Sequence, residues 1–166
     1  MSVAEIIDRQ LAAWNAQDAD AVAADFGPDS TYWSPTVPHG DLAGPAAAHA
    51  DAAMLFTAFP DFALVERGRL VDGDRTAALW WDVTATFRGP LEPPGFAPTG
   101  GPVTNHGVTW VQAEGDRITR LHLYFDVNEL GRQIGAIPPP GSAGEKMVVT
   151  FQKLTAKGLR KRDWSH

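Results

Sequence analysis

The sequence contains no cysteine and, before Lys146, no lysine. The absence of thiols excludes disulfides, thiolate nucleophiles and zinc–thiolate sites, and it is compatible with a reducing cytoplasm. The first 145 residues also lack an amine that could form a Schiff base. No stretch approaches the roughly 20 apolar residues of a membrane span, and charged residues stand where a signal peptide needs an apolar run. We therefore expect a cytoplasmic protein with no membrane partner.

Charge is distributed unevenly along the chain. Residues 143–166 hold six of the 14 basic residues and two of the 20 acidic ones, which leaves eight basic and 18 acidic residues, a formal charge of −10, in residues 1–142. An acidic body argues against nucleic acid as a partner. The chain is long enough for one domain, and Pro138-Pro139-Pro140-Gly141 marks its end. We predict a domain over residues 1–138, followed by a linker and a basic helical tail over 139–166.

Motifs for metals and cofactors are missing as well. No two of the five histidines are spaced i, i+2 or i, i+4, the spacings that bring imidazoles together on a strand or helix. Gly100-Gly101-Pro102 does not join a strand to a helix, as a dinucleotide fingerprint must, and the serines show no nucleophile elbow. We predict no metal site and no cofactor.

Apolar periodicity and capping residues predict three helices near the N-terminus. Ser2 and Glu5 have the form of a capping box at the start of a helix over about residues 3–15. Asp18 is a candidate N-cap for a second, shorter helix that ends before Gly27-Pro28. Gly44-Pro45 opens an alanine-rich third helix that runs to about residue 56.

Strand-like composition dominates the rest of the domain. A short strand over Thr31–Ser34 separates the second and third helices, and two longer strands over residues 62–70 and 75–87 are joined by an Asp-Gly turn. A second pair, 103–112 and 117–125, flanks a Glu-Gly-Asp turn and runs into Asp126 and a short helix. Helices followed by antiparallel strands predict an α+β fold.

Two segments admit more than one interpretation. Residues 89–102 hold too many prolines and glycines for regular structure, so this loop either covers a site, with Phe96 as a lid residue, or is an irregular hairpin connection. In the tail, Met147, Phe151 and Leu154 recur at helical spacing. This helix is expected to pack on its own domain or on a second subunit, or else to bind an acidic partner.

The order of these elements resembles the nuclear-transport-factor-2-like fold, a cone-shaped barrel of curved antiparallel sheet with three N-terminal helices. Short sequence pieces over about residues 3–138 are similar to its SnoaL-like polyketide cyclase branch. These pieces are Ala13-Trp14-Asn15, Pro38-His39-Gly40, Gly44-Pro45, Ala58-Phe59-Pro60-Asp61, Pro98-Thr99-Gly100, and Phe125-Asp126 followed by Leu130-Gly131-Arg132-Gln133-Ile134-Gly135. The resemblance implies a ligand cavity inside the cone and one aspartate as general acid/base.

The same resemblance shows that the polar residues of the aldol cyclases are replaced in this chain. The catalytic aspartate, three residues before the one that ends the last strand, falls on Leu123. The glutamine and histidine of the preceding strand fall on Gly107 and Thr109, and the asparagine near the end of the first strand falls on Ser34 or Trp33. Leucine cannot transfer a proton. Either the chemistry relies on another group, or there is none.

Four residues are candidates for the missing titratable group. Asp126 is either the N-cap of the following helix or a pocket acid whose pKa is raised by burial. Asp82, in the middle of a strand, faces either solvent or the cavity. His106 and His122 titrate near neutral pH, but strand alternation places both on the outer face of the sheet, which in this fold more often packs against a second subunit.

Strand alternation also predicts the cavity wall, because Leu121, Leu123 and Phe125 share one face of the last strand. The other predicted substrate-binding residues come from the first helix, the first strand, the loops and the preceding strand: Trp14, Tyr32, Ser34, His39, Phe96, Asn105, Gly107 and Thr109.

These features lead to the hypothesis of a cofactor-independent, polyketide cyclase-like enzyme of secondary metabolism, an isomerase or lyase in type. It would cyclise, isomerise or hydrate a small hydrophobic, polyketide-like metabolite, and we expect a homodimer formed through the sheets. The alternative is a non-catalytic small-molecule-binding or accessory protein on the same scaffold. Whether an aspartate or histidine side chain reaches the cavity distinguishes the two.

Overall fold

A computed structural model describes residues 1–36 and 42–159, apart from the side chains of 157–159. Its helices are α1 (Val3–Ala16), α2 (Ala19–Ala24), α3 (Gly44–Ala58), α4 (Val127–Gln133) and α5 (Ala143–Leu159). Its strands are β1 (Phe26–Trp33), β2 (Leu42–Ala43), β3 (Ala63–Asp72), β4 (Thr76–Thr86), β5 (Pro102–Glu114) and β6 (Arg117–Phe125). The predicted α+β architecture, with three helices before the main strands, is confirmed.

The strands form one curled, open sheet in the order β2-β1-β6-β5-β4-β3. Neighbours from β3 to β6 are antiparallel, but β1 lies parallel to β6, with Tyr32 opposite Leu121. The curved antiparallel sheet that the sequence predicts is thus observed from β3 to β6, and β1 adds a parallel strand at its edge. β1 also begins at Phe26 rather than Thr31. Pro28 is tolerated there because the pairing shifts register between Phe26 and Thr31, where its missing N–H costs no regular ladder bond.

Local capping chemistry explains where the first helices start. The Ser2 side chain accepts a hydrogen bond from the Glu5 backbone N–H, and the Glu5 carboxylate accepts one from the Ser2 N–H at 2.8 Å, which completes the predicted capping box. The Asp18 side chain accepts from Ala21 N at 2.9 Å and caps α2. Each cap satisfies a backbone donor that the helix itself leaves unpaired.

The core fills the space between the helices and the inner face of the sheet. Val3, Ile6 and Ile7 of α1 belong to one buried cluster with residues of β4, β5 and β6, and Phe59 and Phe87 belong to a second, nearer to α4. Burial of each such side chain contributes about 1.5–3 kcal/mol relative to exposure. This packing holds α1 across the sheet.

The structure describes the loop over residues 89–102 and the tail as far as residue 159, and residues 160–166 of the predicted tail lie outside the described part of the chain. The loop before β5 is an irregular connection in which Leu91 and Phe96 form an isolated bridge. The tail forms the predicted helix, α5, but Met147, Phe151 and Leu154 are 67–70% exposed. Of the alternatives offered by the sequence, packing of this apolar face on its own domain is not seen within the described residues, because these three side chains are exposed. Among the described residues, no helix has the length and apolar character needed to cross a membrane.

Candidate functional site

A cavity lies between α1 and the inner face of the sheet. Its volume is about 100 Å³. Side chains from every strand except β2, and from α1 to α4, contribute to the wall. They are Ile6, Ile7, Gln10, Leu11, Trp14, Val22, Tyr32, Leu55, Phe59, Phe62, Leu64, Leu79, Trp81, Val83, Ala85, Val103, Asn105, Thr109, Val111, Ile118, Leu121, Leu123, Phe125 and Leu130.

The alternation predicted for β6 is observed, because Leu121, Leu123 and Phe125 all lie in the wall. Gly107 shares their side of the sheet but is not part of the wall. It pairs with Trp81 of β4, and a Cβ atom at Gly107 would lie within 2.6 Å of the Trp81 ring. The absence of a side chain at Gly107 thus leaves room for the Trp81 indole to lie over β5, where its Nε1 donates to Thr109 Oγ1 at 2.9 Å.

Among the described wall residues there is no aspartate, glutamate, histidine, lysine or arginine, and Tyr32 is the one titratable side chain. Its hydroxyl donates to Asp51 Oδ2 at 2.6 Å, and Asp51 Oδ1 accepts from Thr36 Oγ1 at 2.7 Å. Burial, and then the neighbouring Asp51 carboxylate, raise the pKa of Tyr32 well above its usual value. Tyr32 therefore stays a neutral phenol whose proton is already shared with Asp51.

Asp126 lies at the N-terminus of α4, outside the cavity wall. Its carboxylate accepts a hydrogen bond from Glu129 N at 2.8 Å, the geometry of an N-cap. Of the two interpretations offered by the sequence, the structure shows the helix cap. The Asp126 backbone carbonyl is nearer the cavity, where it accepts from Asn105 Nδ2 at 3.0 Å.

The other three titratable candidates also lie away from the wall. Asp82 is paired with Arg67, Oδ2 to Nε at 2.7 Å, and both side chains are about half exposed. His106 is exposed on β5. His122 lies on the outer face of the sheet, where its Nδ1 is 3.3 Å from the Tyr124 hydroxyl and its ring is close to Trp110. The structure therefore brings none of these three to the cavity.

Trp14, Tyr32, Asn105, Thr109, Leu121 and Leu123 are the predicted substrate-binding residues that reach the cavity. Ser34 is buried but is not part of the wall, and its hydroxyl lies 2.6 Å from Thr36 Oγ1. Phe96 is 37% exposed and lies outside the wall, so the structure shows the irregular connection rather than a lid over this cavity. His39 lies outside the described residues.

Gln10 and Asp51 are two buried polar residues that the sequence did not single out. Gln10 lies in the predicted first helix, one turn before Trp14, so its place in the wall follows from helical spacing. Helical spacing does not place Asp51 in the same way, because the helix that carries it, α3, is apolar nearly all round and its sequence does not mark which face is buried. Within residues 1–36 and 42–159, no three His, Asp or Glu side chains come together to hold a metal ion.

Comparisons with known proteins agree with this fold. Residues 7–121 match the family model of the SnoaL-like domain. AclR from Streptomyces galilaeus, named as a hydroxylase, has a similar structure, with a TM-score of 0.71, 22% identity and coverage of 98% of this chain and 97% of its own. A protein from Jannaschia sp. CCS1, named as a SnoaL-like polyketide cyclase, gives a TM-score of 0.70 at 22% identity over 82% and 92% of the two chains.

A third similar structure has a ketosteroid isomerase-like fold and comes from Catenulispora acidiphila. It gives a TM-score of 0.64 at 17% identity and covers 80% of this chain and 94% of its own. No curated protein matches the sequence. At these identities the solved structures establish the fold, and the chemistry has to be inferred from the cavity itself.

Proposed function

Because the chain belongs to the SnoaL-like domain family, as the sequence resemblance predicted, we propose that it is a cofactor-independent, cyclase-like enzyme acting on a small hydrophobic, polyketide-like metabolite. The single observation that carries this proposal is the cavity with a nearly all-apolar wall. Pockets that bind hydrophobic metabolites combine such walls with a few polar groups that fix orientation. The Jannaschia protein with this fold is named as a polyketide cyclase.

Catalysis here would depend on the shape of the cavity rather than on a wall residue that exchanges protons. An intramolecular aldol closure forms one C–C bond between an enol carbon and a carbonyl carbon, and the enol proton passes to the new alkoxide. This reaction requires no oxidant or cofactor. Holding a flexible chain in the cyclising conformation, away from water, lowers the barrier without a titratable wall residue. Trp14 and Trp81 provide aromatic surfaces for a flat product.

The test uses a short linear poly-β-ketone whose uncatalysed cyclisation gives several products. Rates and product ratios are measured by liquid chromatography and mass spectrometry with the wild type, Leu123→Trp and Tyr124→Trp. Leu123 lies in the wall and Tyr124 on the outer face of the same strand, so the first variant blocks the cavity and the second is its matched control. We expect the wild type and Tyr124→Trp to accelerate one product, and Leu123→Trp to lose this effect.

A second candidate function, a non-catalytic binding or accessory protein, is favoured by one specific observation. Among the described wall residues there is no carboxylate or imidazole. A wild type that binds the poly-β-ketone in the cavity but leaves its rate and product ratio unchanged would support this candidate and contradict catalysis. Absence of binding would contradict both.

We also propose a homodimer formed through the outer face of the sheet. Trp80, Val108 and Tyr124 are 41–48% exposed there, and the Trp33 and Tyr124 rings pack with their centroids 4.9 Å apart. Exposed aromatic patches on a sheet are typical of protein interfaces. A cytoplasmic location remains part of the proposal and is supported by the lack of cysteine.

A further inference from the structure

Gln10 is a polar residue held rigidly inside the apolar cavity wall. It lies on α1 and is 8% exposed. Its amide nitrogen Nε2 donates to the Val22 backbone carbonyl at 2.9 Å and to Asp25 Oδ2 at 3.0 Å. Both of its amide protons are therefore used by acceptors at the end of α2.

Asp25 is in turn fixed by Arg9, whose Nε and Nη2 atoms lie 2.9 and 2.6 Å from Asp25 Oδ1. This network determines which way the Gln10 amide faces. A flipped amide would place the Gln10 carbonyl against the Val22 carbonyl and the Asp25 carboxylate, which are acceptors only. The carbonyl oxygen Oε1 is thus the polar atom of the Gln10 amide that this network leaves without a partner.

Gln10 Oε1 is buried and has no hydrogen-bond partner among the described residues. Buried carbonyl oxygens are normally paired, because an unpaired one keeps the cost of its lost hydration. Two other polar groups of the wall do have hydrogen-bond partners. The Asn105 amide donates to Asp126 O and accepts from His106 N, and the Trp81 N–H is bound to Thr109.

We propose that Gln10 Oε1 is the polar anchor of the cavity and accepts a hydrogen bond from a hydroxyl or N–H group of an otherwise apolar ligand. The proposal rests on the proposed function in that it requires the cavity to bind a ligand. It also narrows the ligand class. Since no cationic residue lies among the described wall residues, a carboxylate or phosphate would be buried without a counter-charge. A neutral phenol, enol or amide fits both the wall and the anchor.

The test compares two probes, 2-naphthol, which has a donor, and 2-methoxynaphthalene, which has none. Dissociation constants are measured by titration calorimetry for the wild type, Gln10→Met and Gln112→Met. Gln112 is a half-buried glutamine of β5 outside the wall and is the matched control. One neutral hydrogen bond corresponds to a preference of about 3- to 10-fold. We expect this preference for 2-naphthol in the wild type and Gln112→Met, and its loss in Gln10→Met.

Equal affinity of the wild type for the two probes would overturn the role of Gln10 and leave the ligand-binding cavity intact. A preference that persists in folded Gln10→Met would also overturn it. Binding of neither probe would contradict the cavity proposal and this anchor together. If circular dichroism shows that Gln10→Met does not fold, the wild-type comparison alone decides between preference and equality.

Discussion

Replacement of Tyr32 by phenylalanine removes one hydroxyl from a buried polar chain at the edge of the cavity. Tyr32 is 1% exposed and Asp51 is 4% exposed, so the 2.6 Å bond between them is shielded from water. A hydrogen bond to a charged group contributes about 1.5–3 kcal/mol, and its loss leaves Asp51 Oδ2 buried with fewer donors. We expect Tyr32→Phe to lower the free energy of unfolding at pH 7 by about 2 kcal/mol.

The assay is urea unfolding followed by tryptophan fluorescence, in which a loss of about 2 kcal/mol lowers the midpoint by roughly 1 M. Tyr124→Phe is the control, since Tyr124 is 48% exposed in the single chain and its hydroxyl lies 3.3 Å from Nδ1 of the outer-face His122. A change below about 0.5 kcal/mol is expected there. Equal effects of the two substitutions would refute the reasoning.

The pH dependence gives an independent check on the same pair. The pKa of Tyr32 is raised in the folded state by burial, and then by Asp51. The associated stability is complete below the unfolded pKa of about 10 and is lost as pH rises towards the folded pKa, because only the unfolded chain ionises freely there. The wild type loses this stability above pH 10 and Tyr32→Phe has none to lose. The difference between them should therefore narrow, and a constant difference up to pH 11 would contradict the pKa shift.

Three further predictions follow from the placement of single residues and segments. Asp126→Ala should lower the free energy of unfolding by about 1 kcal/mol, because the α4 cap is lost. Asp126→Asn keeps a capping oxygen and should change neither stability nor product ratio. A large loss of turnover in folded Asp126→Asn would contradict the position of Asp126 outside the cavity wall. Val108→Asp should shift the protein to a monomer in sedimentation velocity by placing a charge on the exposed sheet face, and an unchanged dimer would exclude this face as the interface. Deletion of residues 141–166 should leave the urea midpoint of the monomeric Val108→Asp variant unchanged, because Met147, Phe151 and Leu154 are exposed in the single chain; a lower midpoint would show that the tail does pack on its own domain.

Local signals in the sequence were sufficient for most of the fold. The Ser2–Glu5 capping box and the Asp18 N-cap act within one helical turn, so they locate α1 and α2 directly. The parallel pairing of β1 with β6 could not be predicted from local sequence signals. Residues as far apart as Tyr32 and Leu121 face each other there, and no short segment encodes such a contact.

The candidate site was predictable only where it depended on strand alternation. The side of the sheet occupied by Leu121 and Leu123 follows from a period of two residues. The roles of Asp126 and Gln10 do not follow from any period. The first depends on whether a carboxylate turns towards a helix end, and the second on side-chain hydrogen bonds to Val22 and Asp25. Such bonds depend on tertiary packing.

The sequence of the tail predicts a helix but not the surface on which the helix packs. The spacing of Met147, Phe151 and Leu154 correctly predicts an amphipathic helix. It does not say what covers the apolar face, because an apolar stripe has the same sequence pattern whether its partner is the same chain, a second copy or another protein. Here the face is exposed in the single chain.

The most direct test of the central claim is a crystal structure of the protein grown with saturating 2-naphthol. The account predicts electron density for the ring inside the cavity, in contact with Leu121 and Leu123, with its hydroxyl within hydrogen-bond distance of Gln10 Oε1. Electron density for 2-naphthol at a surface site, such as the outer face of the sheet, with none inside the cavity would contradict the assignment of this cavity as the functional site.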